Sequence, residues 1–237
     1  MRELKPEEGL RIFDIKWRTD TAGPSPNNNE RIEVFLLGCN KAMQGNPCKG
    51  CFNSITWDKS KAEYSWDPIE LADMINEGCD PNNKYITIGG GEPTDQIENL
   101  ILLTKRLKEH GFHIIMYTWR ELKDILKIDG MNEDGVFIKH ELNKPFKELL
   151  KNLDILIDGQ FILEERTYQQ ELGDGMLNSI GSANQIVWDI KLTNDNKNKN
   201  LIPTYFGYKL EELAGLYIKP DTNDLIYITK EQENKYV

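Results

Sequence analysis

Short apolar runs alternate with segments of helical periodicity through most of the chain. The runs are rich in β-branched and aromatic residues, which is typical of strands. We predict strands at residues 32–37, 85–88, 112–117, 136–138, 153–157 and 185–190. Because predicted helices separate most of them, the pattern indicates an α/β fold with a mostly parallel sheet.

Two of the intervening segments carry clear helix boundaries. In the first, Asp67 is spaced as the N-cap and Pro68 as the first helical residue, and Gly78 ends the helix. In the second, residues 97–107 place their apolar side chains on one face, and Gly111 follows as a terminator. Local sequence therefore predicts both helices.

Two further helices are predicted on weaker patterns. Thr118 and Glu121 have the spacing of a capping box for a helix that reaches about residue 126. Residues 145–151 are expected to form another short helix.

The last part of the chain has a different pattern. A polar linker at residues 194–200 precedes two apolar runs, 215–219 and 225–229, around a turn rich in Asp, Asn and Pro. These runs predict a β-hairpin. We therefore expect one domain over residues 1–193 and an extension over residues 194–237, packed on the same domain.

Composition narrows the class of protein. Of the 237 residues, 29% are charged and 39% hydrophobic, and the net charge is -10, which argues against a general grip on nucleic acid. No apolar run has the length of a membrane span, and the N-terminus lacks the apolar stretch of a signal peptide. We expect a cytoplasmic protein that contacts neither membranes nor nucleic acid.

Candidate metal ligands follow the first predicted strand. Cys39, Cys48 and Cys51 lie close together in sequence, and the last two have C-x-x-C spacing. In the cytosol such cysteines favour metal or redox chemistry over disulfides. Three thiolates can hold three irons of a four-iron cluster and leave one iron open. A zinc site completed by Cys79, or a redox pair, remains an alternative.

A glycine-rich turn follows the next predicted strand. Its glycines, including Gly90 and Gly91, let a backbone approach a ligand closely, and the carboxylate of Glu92 can accept hydrogen bonds from an ammonium group. An ordinary tight turn is the alternative. Thr118 and Asp158 also directly follow predicted strands, so all these groups should meet at one sheet edge.

Four motifs, in order, resemble one known family. They are Cys48-Lys49-Gly50-Cys51-Phe52-Asn53 followed by Thr56-Trp57, the turn Gly89-Gly90-Gly91-Glu92-Pro93, Asp158-Gly159, and Gly181-Ser182-Ala183-Asn184-Gln185. Arg31, eight residues before Cys39, also matches. From about residue 31 to 190 the chain resembles the activating enzymes of anaerobic (class III) ribonucleotide reductase, members of the radical S-adenosylmethionine (SAM) superfamily.

The resemblance implies a partial (β/α) barrel with the hairpin as an extension. It implies a [4Fe-4S] cluster on Cys39, Cys48 and Cys51, whose open iron is chelated by SAM. The further candidate SAM-binding residues are Gly90, Gly91, Glu92, Thr118, Asp158 and Asn184.

The implied reaction starts with an electron from a flavodoxin or ferredoxin. SAM is then cleaved to methionine and a 5′-deoxyadenosyl radical, which takes a hydrogen atom from a glycine of the partner reductase. The product is a stored glycyl radical. No side chain beyond the cluster and SAM is expected to act as a catalytic acid or base.

The chain departs from the family pattern in three places. Eight residues separate Cys39 from Cys48, more than is usual, so this loop should bulge. Trp119 replaces the usual glycine after Tyr117-Thr118. The glycine-rich stretch before the first strand is replaced by residues 26–30.

Two alternatives remain open at this point. One is a radical SAM enzyme that acts on a different peptide or on a small molecule, which the departures allow. The other is a zinc-stabilised binding module that uses all four cysteines.

Overall fold

The computed structural model describes residues 3–19, 30–125, 130–131, 137–138, 142–166, 180–190, 200–203, 216–218 and 225–227. The strands are β1 (Glu3–Leu4), β2 (Ile12–Thr19), β3 (Arg31–Leu36), β4 (Ser65–Trp66), β5 (Tyr85–Gly90), β6 (His113–Tyr117), β7 (Gly130–Met131), β8 (Phe137–Ile138), β9 (Ile155–Asp158), β10 (Ile186–Asp189), β11 (Asn200–Pro203), β12 (Leu216–Ile218) and β13 (Leu225–Tyr227). The α-helices are α1 (Asn40–Met43), α2 (Pro68–Gly78), α3 (Ile97–Glu109), α4 (Leu122–Ile125) and α5 (Asn143–Leu150).

The described strands form one large sheet and two small ribbons. The sheet has the order β13-β12-β11-β10-β9-β6-β5-β3-β2, and the ribbons pair β1 with β4 and β7 with β8. Its central strands β3, β5, β6 and β9 are parallel. Antiparallel strands flank them on both sides. The predicted α/β fold with a parallel core is confirmed.

The helices pack on one face of this sheet. Side chains of α2, α3 and α5 share a single buried cluster with alternate residues of β3, β5 and β6. The opposite face has a separate, smaller cluster. Its members are Ile115, Ile155, Ile157, Ile180 and Val187. Both faces of the parallel strands are therefore buried in part, which explains their almost continuous apolar runs.

Two helices have the boundaries that the sequence predicts. The side chain of Asp67 accepts hydrogen bonds from the backbone N–H groups of Ile69 and Glu70 at the start of α2. After α3, Gly111 adopts a φ of 84° and donates its N–H to the carbonyl of Lys108. Both signals act within one turn of chain, so local sequence suffices to determine them.

The predicted helix after Thr118 is wrong in its start and its cap. The helix begins at Leu122, and the N–H of Leu122 donates to the carboxylate of Asp158 at 2.7 Å. The hydroxyl oxygen of Thr118 instead accepts from the N–H of Arg120 at 3.1 Å. The cap thus comes from β9, a distant segment that local spacing cannot reveal.

Strand β2 was missed by the sequence analysis. It pairs antiparallel with β3 at the sheet edge, and its register shifts between Ile12 and Asp14 and again between Lys16 and Thr19. These irregularities break the alternation of apolar and polar residues that identifies a half-buried strand.

The predicted C-terminal hairpin is confirmed, since β12 pairs with β13. Strand β11 joins this pair to β10 and so continues the large sheet. The polar linker is outside the described residues except for Asn200. Among the described helices, none combines the length and apolar composition needed to cross a bilayer.

We expect Asp154→Asn to destabilise the fold. The carboxylate of Asp154 is buried and accepts hydrogen bonds from Lys108 and from the N–H of Ile114. The substitution turns an amide donor toward one of these donors, so we expect a loss of about 1–3 kcal/mol in unfolding free energy.

Glu148→Gln is the matched control in urea denaturation. Glu148 pairs with Lys151 at 2.7 Å, but both side chains are exposed. Its loss should therefore cost less than about 0.5 kcal/mol. Equal losses in the two variants would contradict the assigned role of Asp154.

Candidate functional site

The site is built on a backbone junction between the ends of β3 and β5. The N–H of Gly91 donates to the carbonyl of Leu36 at 2.9 Å, and the N–H of Glu92 donates to the carbonyl of Gly38 at 2.8 Å. These bonds extend the parallel pairing of the two strands beyond their ends. They bring Cys39, the next residue along the chain, beside the glycine turn.

The junction explains why two of the turn residues are glycines. Gly90 has a φ of 105°, and a Cβ at this position would overlap the backbone of Leu36. A Cβ on Gly91 would overlap the carbonyl of Gly38. The sequence predicts that these glycines contact a ligand, whereas the structure shows that they allow the neighbouring strand to approach. Their contact with a ligand stays a prediction.

A third glycine, which sequence reasoning did not select, faces open space. A Cβ built on Gly89 meets no described atom within 4 Å. The repeated glycines in the sequence were the available signal, but they do not distinguish a position packed against backbone from an open one.

Glu92 crosslinks the turn to the end of β6. Its side chain is fully buried, and Oε1 accepts hydrogen bonds from the N–H and the hydroxyl of Thr94 and from the hydroxyl of Thr118 at 2.8 Å. Oε2 accepts from the N–H of Trp119 at 3.0 Å. Burial raises the pKa of Glu92, while the bonds from Thr94 oppose that rise. The predicted neighbours Glu92 and Thr118 are therefore in direct contact.

The cysteine loop is attached to the same edge. Cys39 is buried, and its N–H donates to the carbonyl of Trp57 at 2.9 Å. Cys48 and Cys51 are half-buried, and the N–H of Cys51 donates to the carbonyl of Cys48. Helix α1 occupies the first half of the widened segment between Cys39 and Cys48, so the predicted bulge contains a short helix.

The thiols of Cys39 and Cys48 are held in their neutral form when no metal is bound. Burial raises the pKa of Cys39 to about 11, and it also raises the pKa of Cys48, to which the neighbouring Cys51 adds. Because iron is bound by thiolates, assembly of a cluster here must release protons.

Cys39, Cys48 and Cys51 supply three thiolate ligands, the donor type that iron–sulfur clusters use. In a four-iron cluster each thiolate binds a different iron, so the three sulfurs need not converge on one point. The donor chemistry of Cys39, Cys48 and Cys51 therefore fits the cluster.

Cys79 does not belong to this group. It follows the last residue of α2 and precedes β5, which puts it at the amino-terminal edge of the parallel strands. Its thiol donates to the carbonyl of Asn76 at 3.3 Å. The four-cysteine zinc alternative is therefore wrong, because Cys39 lies at the opposite edge.

Asp158, the last residue of β9, and Asn184, in the loop before β10, lie in segments that pack together. Asp158 is buried and caps α4, while the side-chain amide of Asn184 donates to the carbonyl of Gln160 at 2.8 Å. Gln185 donates to the carbonyl of Gly159 at 2.9 Å, a role that the sequence did not reveal. Both candidate residues thus shape the loops at the carboxyl end of β9.

Phe52 joins the cysteine loop to these same loops. Its ring centroid is 4.8 Å from that of Phe161, and the guanidinium of Arg166 is 5.0 Å from its ring. Each of the loops after β3, β5, β6 and β9 therefore contacts the next one along this edge, and the last contacts the first, as predicted for a shared site.

Arg31 lies away from this edge. It is buried at the start of β3, where its guanidinium donates to Thr87 at 2.8 Å and to the carbonyls of Ile86 and His113. Burial lowers its pKa to about 10. Arg31 fastens the amino ends of three neighbouring strands, which is a structural role.

Comparison with known proteins identifies relatives. A family model for a 4Fe-4S single cluster domain matches residues 28–188. The chain is 33% identical over 168 residues to the anaerobic ribonucleoside-triphosphate reductase-activating protein of Haemophilus influenzae, which covers 68% of this chain and 89% of that relative. It is 28% identical over 162 residues to the protein of the same name from Vibrio cholerae, which covers 66% and 86% of the two chains.

The junction between β3 and β5 predicts that substitution by alanine has different effects on stability at Gly91 and at Gly89. Gly91→Ala must push the Gly38 carbonyl away, so we expect a loss of about 1–3 kcal/mol in unfolding free energy. Gly89→Ala adds a methyl group to open space and should change stability by less than about 0.5 kcal/mol. Thermal and urea denaturation of both variants measure this difference. A neutral Gly91→Ala would contradict the assigned packing.

Proposed function

Because this chain belongs to the family of anaerobic ribonucleoside-triphosphate reductase-activating proteins, we propose that it generates a glycyl radical on an anaerobic ribonucleotide reductase. One observation of the structure carries the proposal. The junction between β3 and β5 joins the cysteine loop and the Glu92 turn into one edge, which is the arrangement that a cluster and its SAM ligand require.

We propose that Cys39, Cys48 and Cys51 bind a [4Fe-4S] cluster. The match to a 4Fe-4S single cluster domain covers all three cysteines and supports this assignment. A bound cluster would supply the electron for reductive cleavage of SAM, and bound SAM would supply the 5′-deoxyadenosyl group that takes a hydrogen atom from the reductase glycine, with methionine as the other product.

We propose that SAM binds along the turn formed by Gly90, Gly91 and Glu92, with Thr118, Asp158 and Asn184 shaping the adjoining loops. The open side of Gly89 offers room for a ligand beside this turn. Glu92 is fully buried and already accepts bonds from four protein donors, so we propose that it acts by holding the turn rigid beside bound SAM. The chain then contributes orientation and exclusion of water, while the cofactors carry the radical chemistry.

We also propose that the sheet is the partial (β/α) barrel of radical SAM enzymes. The helices pack on one face of the sheet, and the smaller apolar cluster on the other face would line the inner side of such a barrel. We propose residues 1–193 as the catalytic domain and residues 194–237 as an extension packed on the same domain. The pairing of β10 with β11 supports this attachment, because it continues the sheet across the boundary.

A flavodoxin or a ferredoxin is the proposed electron donor on the basis of family resemblance. A radical SAM reaction on another peptide or a small molecule is the second candidate, and Trp119 favours it, because a large side chain replaces the family's glycine directly beside Glu92.

The decisive experiment is anaerobic incubation of the reduced, cluster-loaded protein with SAM and the cognate anaerobic ribonucleotide reductase. Electron paramagnetic resonance (EPR) should reveal a glycyl radical on the reductase. Rapid SAM cleavage without a glycyl radical on a competent reductase would favour the second candidate.

A pair of cysteine variants tests the assigned ligands. Cys48→Ala removes one proposed iron ligand, so we expect the loss of most cluster iron and at least a hundredfold loss of radical formation. Cys79→Ala is the matched control at the other edge of the sheet and should retain both. Iron analysis and the visible absorption of the reconstituted proteins measure the outcome. Retention of the cluster in Cys48→Ala would refute the assignment.

A further inference from the structure

Asp95 connects three segments of the candidate site. It lies in the turn after Glu92, and its side chain is only 5% exposed. One carboxylate oxygen accepts the backbone N–H of Asn40 at 2.6 Å, and the other accepts from the guanidinium of Arg120 at 2.9 Å. A single buried carboxylate thus contacts the cysteine loop and the segment after β6.

The contact with Asn40 supplies a cap for α1, which the cysteine loop itself lacks. Asn40 begins α1, and Cys39 occupies the N-cap position without making a side-chain capping bond. A free first-turn N–H needs an acceptor, and a carboxylate is a strong one. Asp95 therefore caps α1 from a different segment of the chain and leaves the thiol of Cys39 free of this task.

Arg120 holds Asp95 in place. Besides its bond to Asp95, its guanidinium donates to the hydroxyl of Thr94 at 2.8 Å. That hydroxyl donates in turn to Glu92. The same chain of contacts therefore links the cap of the cysteine loop to the buried carboxylate of the turn.

The two departures from the family pattern that lie near the cysteines meet in this network. The guanidinium of Arg120 is 4.6 Å from the ring centroid of Trp119, and the ammonium of Lys41 in the widened loop is 5.3 Å from the same centroid. Cation–aromatic contacts of this kind are favourable. Trp119 thus provides a surface on which the enlarged loop rests.

We propose that Asp95 and Arg120 are positioning residues that fix the widened Cys39–Cys48 loop against the Glu92 turn. Asp95 caps α1, and Arg120 orients Asp95. The ring of Trp119 contacts the ammonium group of Lys41 in the loop. The inference rests on the proposed function only where it concerns a bound cluster. The loop's attachment itself is a property of the unloaded protein.

The experiment compares Asp95→Ala with Asp73→Ala. Asp73 also accepts a bond from an arginine, Arg106, at 2.7 Å, but this pair joins α2 to α3 away from the cysteines. Amide hydrogen exchange of the unloaded proteins reports on loop attachment. In Asp95→Ala we expect exchange of the Asn40 amide to rise about fivefold to tenfold, the size expected for loss of a helix cap. Asp73→Ala should leave it unchanged.

The loaded proteins give a second readout. We expect a chelator to remove iron from Asp95→Ala several times faster than from the parent, and addition of SAM to change the EPR signal of the reduced cluster less. Asp95→Asn retains an oxygen acceptor for Asn40 and should partly restore both properties. Purely structural damage would not give this graded recovery of a spectroscopic signature.

The outcomes separate the two proposals. Unchanged exchange at Asn40 in Asp95→Ala, or an equal rise throughout the core strands, would overturn the positioning role. If Asp95→Ala does not fold, Arg120→Gln decides instead, because it leaves the cap in place but unsupported and should raise Asn40 exchange by a smaller factor. A parent protein that assembles no cluster would refute the proposed function, while the exchange measurement would still decide the role of Asp95.

Discussion

The candidate site depends on the close approach of two backbones at the carboxyl ends of β3 and β5. Two hydrogen bonds, to the carbonyls of Leu36 and Gly38, continue the parallel pairing past the last regular strand residue. This approach is possible only because Gly90 and Gly91 have no side chains. It puts Cys39 one residue beyond the second of these bonds, which Glu92 itself donates. Loops that carry ligands are otherwise variable in position, so a fixed backbone contact is a sound base for a two-part cofactor site.

Glu92 extends this rigidity across the sheet. A buried carboxylate is costly unless donors surround it, and here Thr94, Thr118 and Trp119 provide them. Two of the four bonds come from the segment after β6, so Glu92 ties the turn after β5 to that segment. The cysteine loop joins the arrangement through Asp95. Function then follows from placement, because a cluster on the cysteines and a ligand on the turn would share one edge.

The sequence predicted those parts of the fold whose causes are local. Asp67 caps its own helix and Gly111 ends its own, so their positions were readable within a few residues. The cap of α4 by Asp158 and the capping of α1 by Asp95 arise between distant segments, which spacing along one chain cannot show. The cysteines and the glycine-rich turn could be identified from the sequence because binding a metal or a ligand restricts which residue types can occur at such positions. Their structural roles could not be predicted from the sequence. Gly91 packs against the carbonyl of Gly38, and Glu92 accepts hydrogen bonds from the backbone N–H groups of Thr94 and Trp119.

EPR of the anaerobically reconstituted and reduced protein tests most directly whether the cysteine loop and the glycine turn form one cofactor site. We expect a [4Fe-4S] signal that changes when SAM is added and is absent when Cys39, Cys48 and Cys51 are all replaced by alanine. A cluster signal that saturating SAM leaves unchanged, or bound zinc without an assembled cluster, would contradict the account.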